Sequence, residues 1–409
     1  MTGLPSARAG TAGRRENGSM STPLLSSGRD AVIVAARRTA VGIGKPERGI
    51  FSGIHPVDLS THPLRAVLDD TGLDPALVDD VMWGCVSQVG EQSFNVGRNA
   101  ALAAGLPEHV PGMTIDRQCG SSQQAIQSAA AAIIAGYADI VVAGGVEVMS
   151  RVPMFSSVAG ADPYGPLMHE RFPDLGNQGA GAELIAKRWG LARGELDEFS
   201  VRSHQRAAAA TASGLFADEI VPVETGDGTV AADQGIRGDS TVERLATLPT
   251  PFVADGVVTA GSASQISDGA AAVLMMTSAR AAELGLVPIA RVHSVAVVGS
   301  DPILMLTGPI PATAKVLERA GLGIADIGAF EVNEAFAPVV LAWLRETGAD
   351  PELVNPRGGA IALGHPLGAS GARLTTTLLH HMRQNGIRYG LQTMCEGGGM
   401  ANATVYELV

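Results

Sequence analysis

The 409-residue chain has few cysteines, few charges and no long hydrophobic run, and each shortage removes a class of function. Three cysteines, at 85, 119 and 395, cannot build a disulfide framework, and the odd count suits a reducing, cytoplasmic compartment. With no C-x-x-C pair and no clustered histidines, no zinc or other metal site is expected. No stretch reaches the ~20 apolar residues that a membrane helix needs. The nearest candidate, 129–148, is broken by Gly136, Asp139 and the Gly144-Gly145 pair. Bases are outnumbered, 29 against 41 acids, and the net charge of −12 argues against nucleic-acid and anionic-membrane partners.

What remains is a large apolar fraction, 46%, and 51 glycines, a composition for close helix–sheet packing with many tight turns. At ~150 residues per domain the length suits two to three domains. Residues 1–29 are rich in Ser and Gly, with four arginines against Glu16, and lack an apolar face. They are expected to form a disordered tail, or an over-long start with Met20 as the later candidate.

The strongest organisational signal is an internal duplication. Val67-Leu68-Asp69-Asp70-Thr71-Gly72-Leu73 returns as Val316-Leu317-Glu318-Arg319-Ala320-Gly321-Leu322. Each copy reads as a helix stopped by glycine and followed by an apolar strand, near 81–83 and 330–332. Cys119 lies 47 residues after Gly72, and His365 lies 44 after Gly321. A helical stripe follows each: Ala125, Ile126, Ala129, Ala130, Ile133 and Ile134 in the first, Leu374, Leu378, Leu379 and Met382 in the second. Gly136 and Gly386 stop these helices, and a strand follows each. Cys119 and His365 therefore hold equivalent helix-start positions in two copies of one α/β unit. The copies divide the chain into an N-terminal half, 30–290, and a C-terminal half, 291–409. A segment at about 149–260, richer in charge and Pro, reads as a domain inserted in the first half.

Cys119 sits in Gln118-Cys119-Gly120-Ser121-Ser122, where a helix N-terminus and free N–H groups favour a nucleophilic thiolate. Its plain alternative is a small buried core residue. His365, framed by Gly364 and Pro366, is a rigidly aimed imidazole or a capping residue. Cys395 precedes Glu396 and the Gly397-Gly398-Gly399 run at a strand end, whereas Cys85 reads as structural. Asn333, in Asn333-Glu334-Ala335-Phe336, either forms a turn or orients a water or carbonyl. Thr259-Ala260-Gly261-Ser262-Ala263-Ser264 is small enough for a ligand to pass close to backbone, or is an ordinary loop.

These five motifs, in this order, resemble the thiolases, from about residue 31 to 409. The resemblance implies a five-layered α-β-α-β-α fold of two similar halves, with a loop domain that gathers coenzyme A. It implies an acyltransferase with no permanently bound cofactor, coenzyme A being a substrate, CoA thioesters its ligands and a homodimer or homotetramer its assembly. Carried over by position, Cys119 would be the acylated nucleophile, His365 its activator and Cys395 the acid and base. Asn333 would hold a water in one oxyanion hole, and the N–H groups of Cys119 and Gly397 would form a second. Ser264, Arg237, Ala260, Ala335 and Phe336 would contact coenzyme A.

The chain departs from the family pattern twice. Asn177-Gln178-Gly179 replaces the His-Met-Gly common in the loop domain, and Glu396 replaces a small or apolar residue. The chemistry is untouched, but the departures point away from an acetoacetyl-CoA specialist, toward degradation of longer or bulkier 3-oxoacyl-CoA such as β-oxidation intermediates. A biosynthetic acetyltransferase making acetoacetyl-CoA is the alternative. A 3-oxoacyl-carrier-protein synthase would carry His or Asn where Cys395 stands, and a non-catalytic lipid- or CoA-binding relative should lack Cys119 or His365.

Overall fold

Strand β1 (Ala31–Arg38) opens with almost every residue buried, in a computed structural model that describes residues 28–409. The expected N-terminal tail therefore lies outside the described residues, except Gly28 and Arg29. Arg29 is tied down by hydrogen bonds to Ile133 and Ala138 carbonyls and to Asp139. After β1 come β2 (Gly42–Ile43), α1 (Pro56–Asp69), β3 (Asp80–Gly84), α2 (Val96–Ala103), β4 (Gly112–Ile115), α3 (Ser121–Ala135) and β5 (Ile140–Val148). The chain then leaves the sheet for α4 (Pro166–Arg171), α5 (Gln178–Trp189), α6 (Arg193–Ala212), the hairpin β6 (Val223–Thr225) and β7 (Gly228–Val230), and α7 (Val242–Ala246). It returns as β8 (Ser267–Thr277) and α8 (Ser278–Glu283). The second half runs β9 (Ala290–Gly299), α9 (Pro309–Ala320), β10 (Ala329–Val332), α10 (Ala337–Thr347), α11 (Ala360–Leu363), α12 (Leu367–Asn385), β11 (Tyr389–Glu396) and β12 (Met400–Leu408).

The strand order in the first half is β4-β3-β5-β8-β1, with β3 parallel to both β4 and β5 and β8 antiparallel to its neighbours. The second half repeats it as β10-β11-β12-β9, with β10 and β11 parallel. Where β4 stands in the first copy, the second keeps a single parallel bridge, Phe330 to Val354. Two residue pairs, Val32 with Arg291 and Ile33 with Ala290, join the halves edge to edge.

Helices α3 and α12 pack on each other and on strands of both halves, so they form a middle layer. Helix α1 covers the far side of the first sheet and α9 that of the second, which completes five layers. Three apolar clusters fill the spaces between them. Leu64, Trp83 and Leu274 lie in the first, Ile126, Val273 and Leu378 in the middle, and Phe330, Trp343 and Leu391 in the last. Burying each such side chain contributes ~1.5–3 kcal/mol. Ile134, expected on the buried stripe of α3, is 47% exposed, because it falls on the outer face of the helix with Ala131 and Ala135 while its neighbour Ile133 is buried. Gly72, Gly136, Gly321 and Gly386 all take left-handed φ at or just beyond helix ends, as the stop signals require. Among the described residues, no helix is long and apolar enough to cross a membrane.

The middle helices approach the first sheet very closely. A methyl on Gly84, at the end of β3, would lie 2.3 Å from the Ser122 nitrogen and 2.7 Å from the Gly368 oxygen. It would strike the N-terminal turns of α3 and α12 at once, the turns that follow Cys119 and His365. All the nearest atoms are backbone and cannot rotate away. Gly84→Ala is therefore expected to lower stability by at least ~1–3 kcal/mol, the usual cost of overpacking, and to reduce activity. An unfolding midpoint unchanged from the parent protein would contradict this packing.

Candidate active site

The turn from β4 into α3 is built around residues 116–120. Gln118 takes a left-handed backbone, φ 47°, held by a hydrogen bond from its N–H to Asp116 Oδ1 at 2.7 Å. Such a conformation in a non-glycine residue costs on the order of 1–3 kcal/mol and persists only where its surroundings enforce it. It delivers Cys119 to a place two residues before α3, with only 3% of its surface exposed. Three donors favour charge on its sulfur: the N–H of Gly397, its own N–H and the side-chain amide of Gln178.

Burial outweighs these donors. It pushes the Cys119 thiol up to about 12, Glu396 adding to the rise, so the sulfur is protonated at rest. The sequence led us to expect a preformed thiolate, and the difference has a physical cause. A helix start favours an anion, but this one is covered, and lost hydration costs more than the helix dipole returns.

Cys395 is the penultimate residue of β11, just before a turn in which Gly398 and Gly399 have φ of 83° and 76°. It is fully buried, and burial together with the neighbouring Cys119 pushes it well above the ordinary thiol range. The two sulfurs are close enough to feel each other's charge, so both cannot ionise together. Cys85 is buried in the outer cluster of the first half, a structural thiol.

His365 is fixed from three sides. Its N–H donates to the Gln265 carbonyl at 3.1 Å and to Ser267 Oγ at 3.0 Å. Nδ1 lies 2.6 Å from Ser370 Oγ, which itself donates to the Pro366 carbonyl at 2.9 Å. Because the Ser370 proton is committed, the network assigns the imidazole proton to Nδ1 and leaves Nε2 its lone pair. Nε2 lies 3.4 Å from Asn333 Nδ2, and Asn333 Oδ1 has no hydrogen-bond partner. Burial, then Arg373, pushes His365 down to about 3, so the ring is neutral across the physiological range.

The segments that carry the sulfur and the imidazole converge along the α3–α12 contact. Leu367, two residues after His365, lies in one buried cluster with Cys119, Met149 and Met394. Two buried carboxyls brace the loops. Glu147 accepts hydrogen bonds from the N–H groups of Val86, Ser87 and Gly368, tying the start of α12 to the segment after β3. Glu334, beside Asn333, accepts from Ser203 Oγ, Asn355 Nδ2 and the Ile361 N–H.

Of the residues expected at coenzyme A, Ser264, Ala335 and Phe336 lie together. Ser264 N–H donates to the Ala335 carbonyl at 2.9 Å, and Ala263 bridges to Phe336, so the small-residue loop is stitched to the Asn333 motif. Ala335 and Phe336 are buried, with Phe336 edge-on to Phe252 at 5.6 Å. Ala260 and Arg237 stand exposed, the Arg237 N–H donating to His204 Nδ1 at 3.1 Å. Gln178, Ser370 and Glu147 were not recognised as site residues from sequence. Only Gln178 carried a signal, as part of the departure at 177–179, where Asn177 proves to be the N-cap of α5.

Comparison with known proteins agrees with this fold. Residues 31–279 match the thiolase N-terminal domain and residues 286–408 the thiolase C-terminal domain. The chain is 50% identical to the steroid 3-ketoacyl-CoA thiolase FadA6 of Mycobacterium tuberculosis, over 96% of this chain and 99% of that protein. It is 48% identical to a 3-ketoacyl-CoA thiolase of Erwinia tasmaniensis and 47% to 3-ketoacyl-CoA thiolase FadA of Escherichia coli, each over 92% of this chain and 99% of the relative.

Proposed function

The chain belongs to the thiolase family, and from that premise we propose that it is a degradative 3-oxoacyl-CoA thiolase. It would convert a 3-oxoacyl-CoA and coenzyme A into acetyl-CoA and an acyl-CoA two carbons shorter. The observation that carries the reading is the pair of buried thiols within electrostatic reach of each other, with the Gly397 N–H favouring charge on the Cys119 sulfur. One thiol can hold the acyl group while the other moves protons.

The steps follow from the protonation states. Cys119 starts as a thiol, so its proton leaves only as sulfur bonds to the 3-keto carbon, and the unprotonated His365 Nε2 is the acceptor. The oxyanion on the former keto carbon then collapses, the C–C bond breaks, and the enolate of acetyl-CoA departs. Cys395 gives its proton to the enolate carbon, releasing acetyl-CoA and becoming a thiolate. That thiolate takes the proton of incoming coenzyme A, whose sulfur attacks the Cys119 thioester. Cys119 leaves and recovers its proton from His365. Asn333, with hydrogen-bonding capacity to spare, would position a water beside His365 in one oxyanion hole. The N–H groups of Cys119 and Gly397 would form the other, and each such donor contributes about 3–4 kcal/mol to the transition state. One covalent enzyme between two substrates implies ping-pong kinetics.

Ser264, Ala260, Ala335, Phe336 and Arg237 would line the approach of coenzyme A, the first four along the pantetheine and Arg237 near the nucleotide. We assign residues 30–290 and 291–409 to the two halves and about 149–260 to the inserted loop domain; the repeated strand order supports this division. A cytoplasmic homodimer or homotetramer is consistent with three free thiols and with exposed Phe94 and Met113 beside edge strand β4.

The acyl group is proposed to be longer or bulkier than acetyl. The connection between β5 and α5 presents exposed Phe155, Tyr164 and Leu167, and a relative at 50% identity is named for steroid substrates. The test is CoA-dependent cleavage of 3-oxoacyl-CoA thioesters of rising bulk, with kcat/KM equal or higher for the longer members. If acetoacetyl-CoA is cleaved ten or more times better than every longer substrate, about 1.4 kcal/mol of discrimination, the reading is wrong.

A further inference from the structure

Glu396 is a buried carboxyl that the mechanism above leaves unused. It ends β11, between Cys395 and Gly397, with no exposed surface and no hydrogen-bond partner for either oxygen. No cation lies within ion-pairing distance of it among the described residues. Its place is defined by Gly120, the residue after the nucleophile. A methyl there would lie 2.0 Å from Glu396 Oε1 and 2.8 Å from Asn402 Nδ2, which donates to the Gly120 carbonyl at 3.1 Å. Gly120 thus leaves the space that the carboxyl occupies.

The charged and titratable groups facing Glu396 come from two elements. Asp116, Arg117 and Cys119 belong to the turn before α3, and Cys395 belongs to its own strand. An ionised Glu396 would oppose an anion on either sulfur. The proposed reaction needs negative charge on Cys119 during attack and departure, and on Cys395 between the two half-reactions.

We propose that Glu396 is a positioning residue for this sulfur chemistry: uncharged and wedged against Gly120, it keeps the pocket free of a resident anion, so that Cys119 and then Cys395 can carry charge in turn. Its ionisation at alkaline pH closes the reaction. Burial, offset only in part by Arg117 and reinforced by Asp116, pushes the carboxyl up to about 8, so the uncharged form prevails at neutral pH and is lost as pH rises through that value. The proposal rests on the thiolase reading for its catalytic consequence, but the electrostatic contact can be measured without any acyl-CoA.

Two measurements test it. In the first, excess enzyme is mixed with a 3-oxoacyl-CoA without added coenzyme A, and the acylation rate is read from released acetyl-CoA between pH 6 and 10. One ionisation near 8 lowers the native rate about tenfold from pH 7 to 9, whereas Glu396→Gln shows no such fall. In the second, Cys119 is alkylated with iodoacetamide over the same range, and alkylation above pH 8 is faster in Glu396→Gln than in the native protein. The same alkaline fall and the same alkylation profile in both proteins would overturn the proposal. If the Gln variant does not fold, Glu396→Ser, small and uncharged, carries the same expectations and the same refutation. Absence of an acyl-enzyme at every pH, with alkylation still faster in the variant, would refute the thiolase reading and leave the electrostatic role of Glu396 standing.

Discussion

Cys119→Ala is expected to abolish thiolytic cleavage and the reverse condensation together, with the protein still folded. The acyl group has no other sulfur to visit. Cys85 lies in the outer cluster of the first half, and Cys395, next to last in β11, is fully buried. Losing a nucleophile that acts as one unit with its base typically lowers kcat by on the order of 10⁶-fold. Because the sulfur is small, its loss leaves a modest cavity, and the change in stability should stay near the lower end of large-to-small core substitutions, ~1–2 kcal/mol. Mass spectrometry of native protein incubated with a 3-oxoacyl-CoA should place the acyl adduct on the peptide containing Cys119. An adduct on Cys85, or turnover surviving in Cys119→Ala, would sink the assignment.

The duplication was readable because both copies use glycine to end their helices and apolar runs for their strands. Gly72 and Gly321 fall at equivalent helix ends, and Cys119 and His365 each precede a middle helix by two residues. The second copy of β4 was not readable, since it has shrunk to Val354 alone and one residue carries no periodicity. The protonation states were hidden for a different reason. A glycine-rich helix start suggests a thiolate, but the sign is decided by how much solvent the folded chain leaves at the sulfur. Gln178 and Glu147 reach the site from other elements, and the spacing between distant residues says nothing about where their side chains meet. Glu396 was visible as an acid in an unusual place. Its fit against Gly120 needed the register of β11 against β12 and the turn before α3.

Cys395→Ala is expected to separate the two half-reactions. Acylation of Cys119 requires His365 and the oxyanion donors but no second sulfur until the enolate must be quenched. The variant should therefore accept an acyl group from an acyl-CoA in a slow single turnover, while steady-state cleavage falls by about 10²–10⁴-fold, the usual contribution of a general acid–base group. Burial strengthens the assignment. A thiol held well above its ordinary range is a weaker acid and its thiolate a stronger base, which brings it closer to the very weakly acidic α-carbon of acetyl-CoA. Proton transfer is most effective when the two partners are matched in this way. His365, pushed down to about 3 and committed through Nδ1 to Ser370, is poorly matched to that carbon and cannot replace Cys395. The diagnostic readout is exchange of the acetyl-CoA α-protons with deuterated solvent, which should collapse in Cys395→Ala even where Cys119 is still acylated. Exchange at the native rate would remove Cys395 from the mechanism and return the carbon proton to another group.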